Sequence, residues 1–520
     1  MHLSCDSDAK TGTGAQIQAI REGSSIEITG GMPNKTITIE IAESFLRRKT
    51  TDLSEFDAID DDAAAIVTKA EFKKLNLNGL VTLSDASARA LADGTGELLL
   101  DGLGSISDSV ARALAGFLGY RLSLNGLATI SETAASALSW YDGRLELRGL
   151  RADFQNGDTL SDSAALALSC NEGKLCLDSL TSLSESAARG LARFGSRTDA
   201  PLELNGLASL TARCAGLLAR RTGPLHLDGL TALDDSVAEA LCQHCGDLYL
   251  NGLSSLEIPT ADILSGHQGG FLSLDGLKVL SDGAAEALSR YGGTISADGL
   301  AVPSASELTE LSLADAFVLV TTVEPEFQEE LALTNLRSIS MPVASLIARY
   351  DGCLFLDRLE SLSVGAAEAL AGHTGGVLTL NGLKSLSVEA AEALAGHQGW
   401  LSLDGLKSLS VEAAKALAGH TGRWLFLNGL KSVSVEAAEA LAGHRGWLSL
   451  DGLKSVSVEV AEALAGHREP LHLRGITELS DAAAAAMAKL YLSGLLDLSD
   501  SAKVAMERHR DFSSSQGLRD

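Results

Sequence analysis

Three sets of residues in this chain have the types and spacing that site chemistry requires. Cys242-Gln243-His244-Cys245 puts two thiols around an imidazole, a donor set suited to zinc or to a redox pair. Cys242, however, falls where a matching segment holds the core residue Ala395, and no second cysteine pair lies at metal-ligand spacing. His373, His397, His420, His444 and His467, with His244 and His267 before them, recur after Ala-Gly or its equivalent. An array of metal sites is one reading of that row. The expected one is capping of helix-end carbonyls, helped by the helix dipole. Asn and Asp alternate at Asn78, Asp101, Asn125, then Asn205, Asp228, Asn251, Asp275, then Asn381, Asp404, Asn428, Asp451. One such side chain per repeat supplies too few oxygens for calcium. On neighbouring strands about 4.8 Å apart, interleaved amides can instead donate to carboxylates that would otherwise crowd. No metal and no cofactor is expected.

Catalytic motifs are absent from the sequence: there is no Gly-x-Ser-x-Gly elbow, no Walker-type phosphate loop and no His-Glu-x-x-His. The expectation is a protein that is not an enzyme. Its best candidate site is a row of aromatics. Trp400, Trp424 and Trp447 hold one position in consecutive repeats, Phe426 lies two residues past Trp424, and Phe355 and His472 hold equivalent places beside Cys353 and Pro470. Large aromatics directed away from the core call for something to cover them. The expected partner-binding residues are therefore Phe355, Trp400, Trp424, Phe426, Trp447 and His472. A protein partner suits them, because Trp dominates binding hot spots. A stacked glycan or small ligand is the second reading, a self-assembling structural element the third. Copying of one unit, with indoles that only stiffen the sheet, is the alternative to any binding role. The same positions earlier in the chain read Lys74, Asn76, Arg121, Ser123, Arg144, Glu146, Lys174, Glu203 and His226, a mixed-charge strip that turns aromatic at Tyr249 and Phe271.

The elements that position these residues come from one repeat of Leu-x-Leu-x-Gly-Leu, with glycines at 79, 102, 126 and 149, again from 206 to 299, and again from 382 to 475, mostly 23 or 24 apart. In the copy from Trp400 to Gly422, Leu401 and Leu403 point inward and Trp400 and Ser402 outward, the period of a strand. Asp404-Gly405 is a turn, Ser410 an N-cap with Glu412 in the first helical turn, and Val411, Ala414, Leu417 and Ala418 form the expected buried stripe of a helix that Gly419 ends. A single unit cannot close its own core, so units must stack, strand beside strand.

Leu401-x-Leu403-x-x-Leu406-x-x-Leu409-Ser410 resembles the leucine-rich repeat, and Leu83-Ser84-Asp85 and Leu280-Ser281-Asp282 are most similar to its cysteine-containing subtype. The resemblance covers nearly the whole chain. It implies an α/β, right-handed solenoid, a horseshoe or arc, with a parallel sheet on the inner face, short Ala-rich helices outside, and partner binding along the inner sheet. Leu406 departs from the family, which keeps Asn or Cys there.

The chain has 520 residues, 4% aromatics, 52 glycines and a net charge of −27. That balance argues against nucleic acid and anionic membranes as partners and favours solubility or a basic partner. With an odd seven cysteines, no basic leader and no long apolar run, a cytoplasmic location is expected. The expected organisation is a cap over residues 1–25, a first repeat block over 26–300 that begins with Ile26–Gly30, an insertion over 301–331, a second block over 332–498, and a C-terminal helix and tail over 499–520. Further extra residues are expected at Arg151–Thr159 and Phe194–Ala200, and Phe512–Gly517 as a disordered tail.

Overall fold

The structure, a computed structural model, describes residues 35–48, 52–69, 73–150, 161–171, 173–195, 197–321 and 330–516. Residues 1–34, including the first expected unit, and the extra residues at Arg151–Thr159 lie outside the described residues. Among the described residues twenty short strands alternate with twenty helices. The strands pair in chain order, in parallel, as a ten-stranded sheet from Lys74–Asn76 to Thr294–Ser296 and an eight-stranded sheet from Glu330–Ala332 to Leu496–Leu498. A two-stranded pair, Thr36–Ile37 with Ala58–Ile59, precedes them. The molecule is a leucine-rich-repeat-like solenoid with sheet on one side and helices on the other. Strands repeat at about 4.8 Å and packed helices need about 8 Å or more, so stacking puts the sheet on the shorter, inner arc.

Rung by rung, the strand leucines align: Leu378 with Leu401, Leu401 with Leu425, Leu425 with Leu448. All are fully buried. Between units the backbone is held by the Asn/Asp row. Asn381 Oδ1 accepts the Asp404 N–H at 2.9 Å, Asp404 Oδ1 accepts that of Asn428 at 2.7 Å, and Asn428 Oδ1 accepts that of Asp451 at 2.8 Å. The expected amide-to-carboxylate bond is present at Asn428 Nδ2 and Asp404 Oδ2, 3.2 Å. The recurrent bond is the backbone one, so this row does the work that the leucine-rich-repeat family gives to the polar residue replaced here by Leu406.

Ser410 caps the helix Val411–Ala418, accepting the Ala413 N–H at 3.1 Å. Its buried residues are Ala413, Ala414 and Leu417, whereas Val411 and Ala418 are half-buried. The stripe expected from helical spacing is thus shifted to include Ala413. This helix packs on the helices of both neighbouring units, and two adjacent alanines are buried.

The sheet is interrupted between Thr294–Ser296 and Glu330–Ala332, but the helical layer is not. The helix Leu313–Thr321, inside the expected insertion, packs on both Asp282–Leu288 and Met341–Ile347 and buries Ala316, Phe317, Val318 and Leu319. At the C-terminus the helix Asp500–Gln516 takes in Phe512–Gln516, so the stretch expected to be disordered is helical there. A run of Ser without Gly or Pro tolerates helix continuation.

Candidate functional site

The outward face of the sheet falls into three zones. In the first, from Glu97–Leu99 to Leu202–Glu203, ions satisfy one another. Arg121 reaches Glu97 and Glu146 at 3.0 Å, Arg144 reaches Glu146 at 2.6 Å, Arg148 reaches Asp178 at 3.1 Å, and Lys174 pairs with Glu203. Glu146 is fully buried beneath these guanidiniums. Burial alone would raise its carboxyl, but hydrogen bonds from Arg121 and Arg144, with the charges of Arg121 and Arg148, bring it down to about 2. Cys176 donates its thiol to Glu203 at 2.5 Å, and burial together with that carboxylate pushes the thiol up to about 12. The mixed-charge strip is thus largely internally paired.

In the second zone His226 stacks on Tyr249, centroids 3.9 Å apart and planes 9° apart, and Tyr249 meets Phe271 at 5.6 Å. The third zone holds most of the expected site. Trp424 is its centre: Trp400 at 5.6 Å, Trp447 at 4.1 Å, Phe426 at 5.2 Å and His472 at 5.5 Å. The Arg423 guanidinium lies over Trp447 at 5.7 Å. Trp400 is 43% exposed, while Trp424, Phe426, Trp447 and His472 are half-buried against one another. His472 also faces Asp497 at 3.4 Å. Phe355 shares the face but sits apart, paired in register with Thr379, with the strand Val377–Thr379 between it and Trp400. Five of the six expected residues therefore form one group.

The histidine row lies on the other layer, three residues after the last helical leucine of each unit. His244, His267, His373, His397, His420, His444 and His467 are all buried, and successive rings of the last five stand 5.7 to 6.4 Å apart. Nδ1 of His373 lies 3.3 Å from the Ala348 carbonyl oxygen and Nδ1 of His467 3.3 Å from that of Ala442, at the helix ends of the preceding units. At these positions the contact crosses from one unit to the next. The column is neutral imidazole, not the cation the dipole would favour: burial, and then the neighbouring imidazoles, push His397 and His444 down to about 4 and His420 to about 3, and both ring nitrogens of these three lack a hydrogen-bond partner among the described residues. The same slot holds Tyr141 and Tyr291, whose hydroxyls donate to Gly119 O at 2.9 Å and Gly269 O at 2.6 Å. Among the described residues no group of three or more His, Cys, Asp or Glu is placed to hold a metal. Cys242 is the buried C-cap of the helix Asp235–Leu241, and Cys245 is exposed.

The fourth tryptophan is a feature that sequence reasoning missed. Trp140, 80% exposed, follows the helix Glu132–Leu138 on the helical layer, between two shallow grooves edged by Arg112 and Glu132 on one side and by Leu166, Cys170 and Arg193 on the other. Its only signal was replacement of the Gly found there at Gly116 and Gly396.

No protein-family model matches this chain, and no curated protein does. Solved structures do. A leucine-rich-repeat protein of Leptospira interrogans is 16% identical over 86% of this chain and 98% of that one, with a TM-score of 0.32. The Drosophila Toll–Spatzle complex, described as a molecular hub in development and innate immunity, is 15% identical over 74% of this chain and 54% of that one, with a TM-score of 0.34. The repeat architecture described above rests on the chain's own units. Among the described residues no helix is long and apolar enough to cross a membrane.

Proposed function

We propose that this chain is a non-enzymatic protein-interaction scaffold that holds a protein partner along its sheet face, at the group centred on Trp424. The observation that carries this reading is five aromatic side chains gathered on the solvent side of four adjacent strands, with Trp400 left 43% exposed at their edge. Packing among the rings pre-orders them, so a partner meets a stiff apolar surface and little side-chain entropy is lost on contact. Neighbouring indoles are tilted by 46° and 49°. That leaves no continuous flat row for sugar rings to stack on, and so favours a protein over a glycan.

Affinity capture with the intact chain and with a Trp400→Ala, Trp424→Ala, Trp447→Ala variant tests the reading. A partner held by the first and lost by the second, with both equally folded by circular dichroism, is the expected result. Equal capture by both would make the row a structural stack and remove the site.

A further inference from the structure

The second zone of the sheet face is aromatic and acidic at once. On the middle rung His226 stands beside Tyr249, in register. One rung earlier, Asp247 precedes Tyr249 on the same face, next to Phe271. One rung later come Asp228 and Asp275, the turn residues of their units. Rings 3.9 and 5.6 Å apart are thus bracketed by carboxylates at both ends of the strands. These carboxylates act on the rings: after burial, Asp247, Asp228 and Asp275 are what raise the Tyr249 phenol.

None of the three carboxylates has an ion-pair partner among the described residues. Asp228 Oδ1 accepts the Asn251 N–H at 2.9 Å, and Asp275 accepts from Ser273 and Asp298, neutral donors that leave the charge in place. On earlier rungs Lys174 is engaged by Glu203 and Arg148 by Asp178. Lys278, past the Asp275-Gly276 turn, pairs with none of them. Contrast the first zone, where every buried carboxylate is matched by a guanidinium or ammonium of the chain itself. Here the matching charge is missing, beside ring faces that attract cations.

We propose that His226, Tyr249 and Phe271, with Asp228, Asp247 and Asp275, form a receptor for an arginine or lysine side chain on a basic segment of the protein partner. Resting on the scaffold reading given above, it assigns the partner's chemistry at a place separate from the Trp424 group. The cation sits against the rings, and its N–H groups bond to the flanking carboxylates. Arginine is the better occupant, because its planar head can stack and donate at once.

The probe is a short arginine–glycine repeat peptide, titrated into the full chain at physiological salt, with a glutamate–glycine peptide as the control for charge sign. Tyr249→Leu with Phe271→Leu keeps apolar volume and removes the rings. It is expected to weaken the arginine peptide about tenfold, the scale of one or two lost cation–π contacts. Asp228→Asn with Asp247→Asn should weaken it comparably. Glu389→Gln, Glu412→Gln and Glu436→Gln on the exposed helical face remove more charge and should change the affinity less than about twofold if the site is local. If the helical-face variant loses as much as the ring variant, the peptide follows net charge and the receptor is overturned. Unchanged affinity in the ring variant overturns it as well. Tetramethylammonium as competitor separates the sources: displacement of the peptide by this ion alone at comparable concentration would assign the rings to a free quaternary amine and overturn the peptide assignment. The Trp424-group variant serves as an internal reference. Its loss of captured partner with peptide affinity intact, or the reverse, shows which of the two proposals has failed.

Discussion

At Gly405 an added Cβ would stand 2.0 Å from the Asn381 carbonyl oxygen and 2.4 Å from that of Leu383, both backbone atoms of the preceding unit. Neither can move without opening the rung that Asn381 Oδ1 holds to Asp404. Gly405→Ala is therefore expected to cost about 2–3 kcal/mol in urea unfolding. Gly104→Ala, where nothing lies within 4 Å, should stay within about 0.5 kcal/mol. Equal effects at the two positions would show that the turns do not limit stacking. Side-chain directions were largely legible at this scale: alternation around Leu401 and Leu403 put Trp400 and Ser402 outside, and the structure agrees. Burial on that outer face was not. Glu146 points to solvent by the strand period, yet three guanidiniums from its own and neighbouring strands cover it. No local pattern records such a lid. Trp140 escaped for the opposite reason, since it stands in no period at all and replaces a glycine just beyond a helix.

Helices, strands and caps followed from the period, because each unit repeats the same local signals: the Ser N-cap, the Ala-Ala pair, the Leu ladder. Relations between units were harder to read, and the histidine column is the case in point. Spacing located every ring, but not that His244, His373 and His467 each meet a carbonyl oxygen at the helix end of the unit before it, nor that all seven rings are buried. Burial, and then the neighbouring imidazoles, keep the column neutral, with a consequence for stability. In the unfolded chain imidazole titrates near 6.5, whereas His397 and His444 are held to about 4 and His420 to about 3. Between those values the unfolded state binds protons that the folded state refuses, so stability rises with pH. It is full at neutral pH and falls as pH drops from about 6.5 toward 4, by up to about 1.4 kcal/mol per pH unit for each histidine. Tyrosine fills the same slot at Tyr141 and Tyr291 with its hydroxyl bonded. His397→Tyr with His420→Tyr and His444→Tyr should then keep stability at pH 7 within about 2 kcal/mol and flatten the loss between pH 6.5 and 4, read from denaturant midpoints. A slope as steep in the variant as in the parent would place the acid sensitivity elsewhere.

For the molecule as a whole the open matter is how two sheets behave as one solenoid. Units in a repeat array touch only their neighbours, so cooperativity passes along the chain through interfaces and stops where an interface is weak. Between Thr294–Ser296 and Glu330–Ala332 the described strands do not pair, and described contacts across the break are the helix Leu313–Thr321 between Asp282–Leu288 and Met341–Ile347 and the Arg349 guanidinium on the Ser289 carbonyl oxygen. Extra residues were legible there as a break in period, but not that part of them is a structural helix, because Phe317-Val318-Leu319-Val320 reads equally as a buried strand. Phe317, 1% exposed, is the largest residue of that joint. Phe317→Ala should cost about 3–4 kcal/mol locally, through lost transfer energy and the cavity left behind. The expected signature is a change of shape more than of midpoint. A single thermal transition in the parent should divide into two, and the block that carries His373 to His467 should melt first when the pH is lowered toward 5, because its unfolded histidines take up protons there that the folded column refuses. Hydrogen exchange resolved by segment makes the assignment. Two steps already present in the parent would mean that the helix never coupled the blocks, and one step surviving in the variant would mean that coupling runs through contacts other than Phe317.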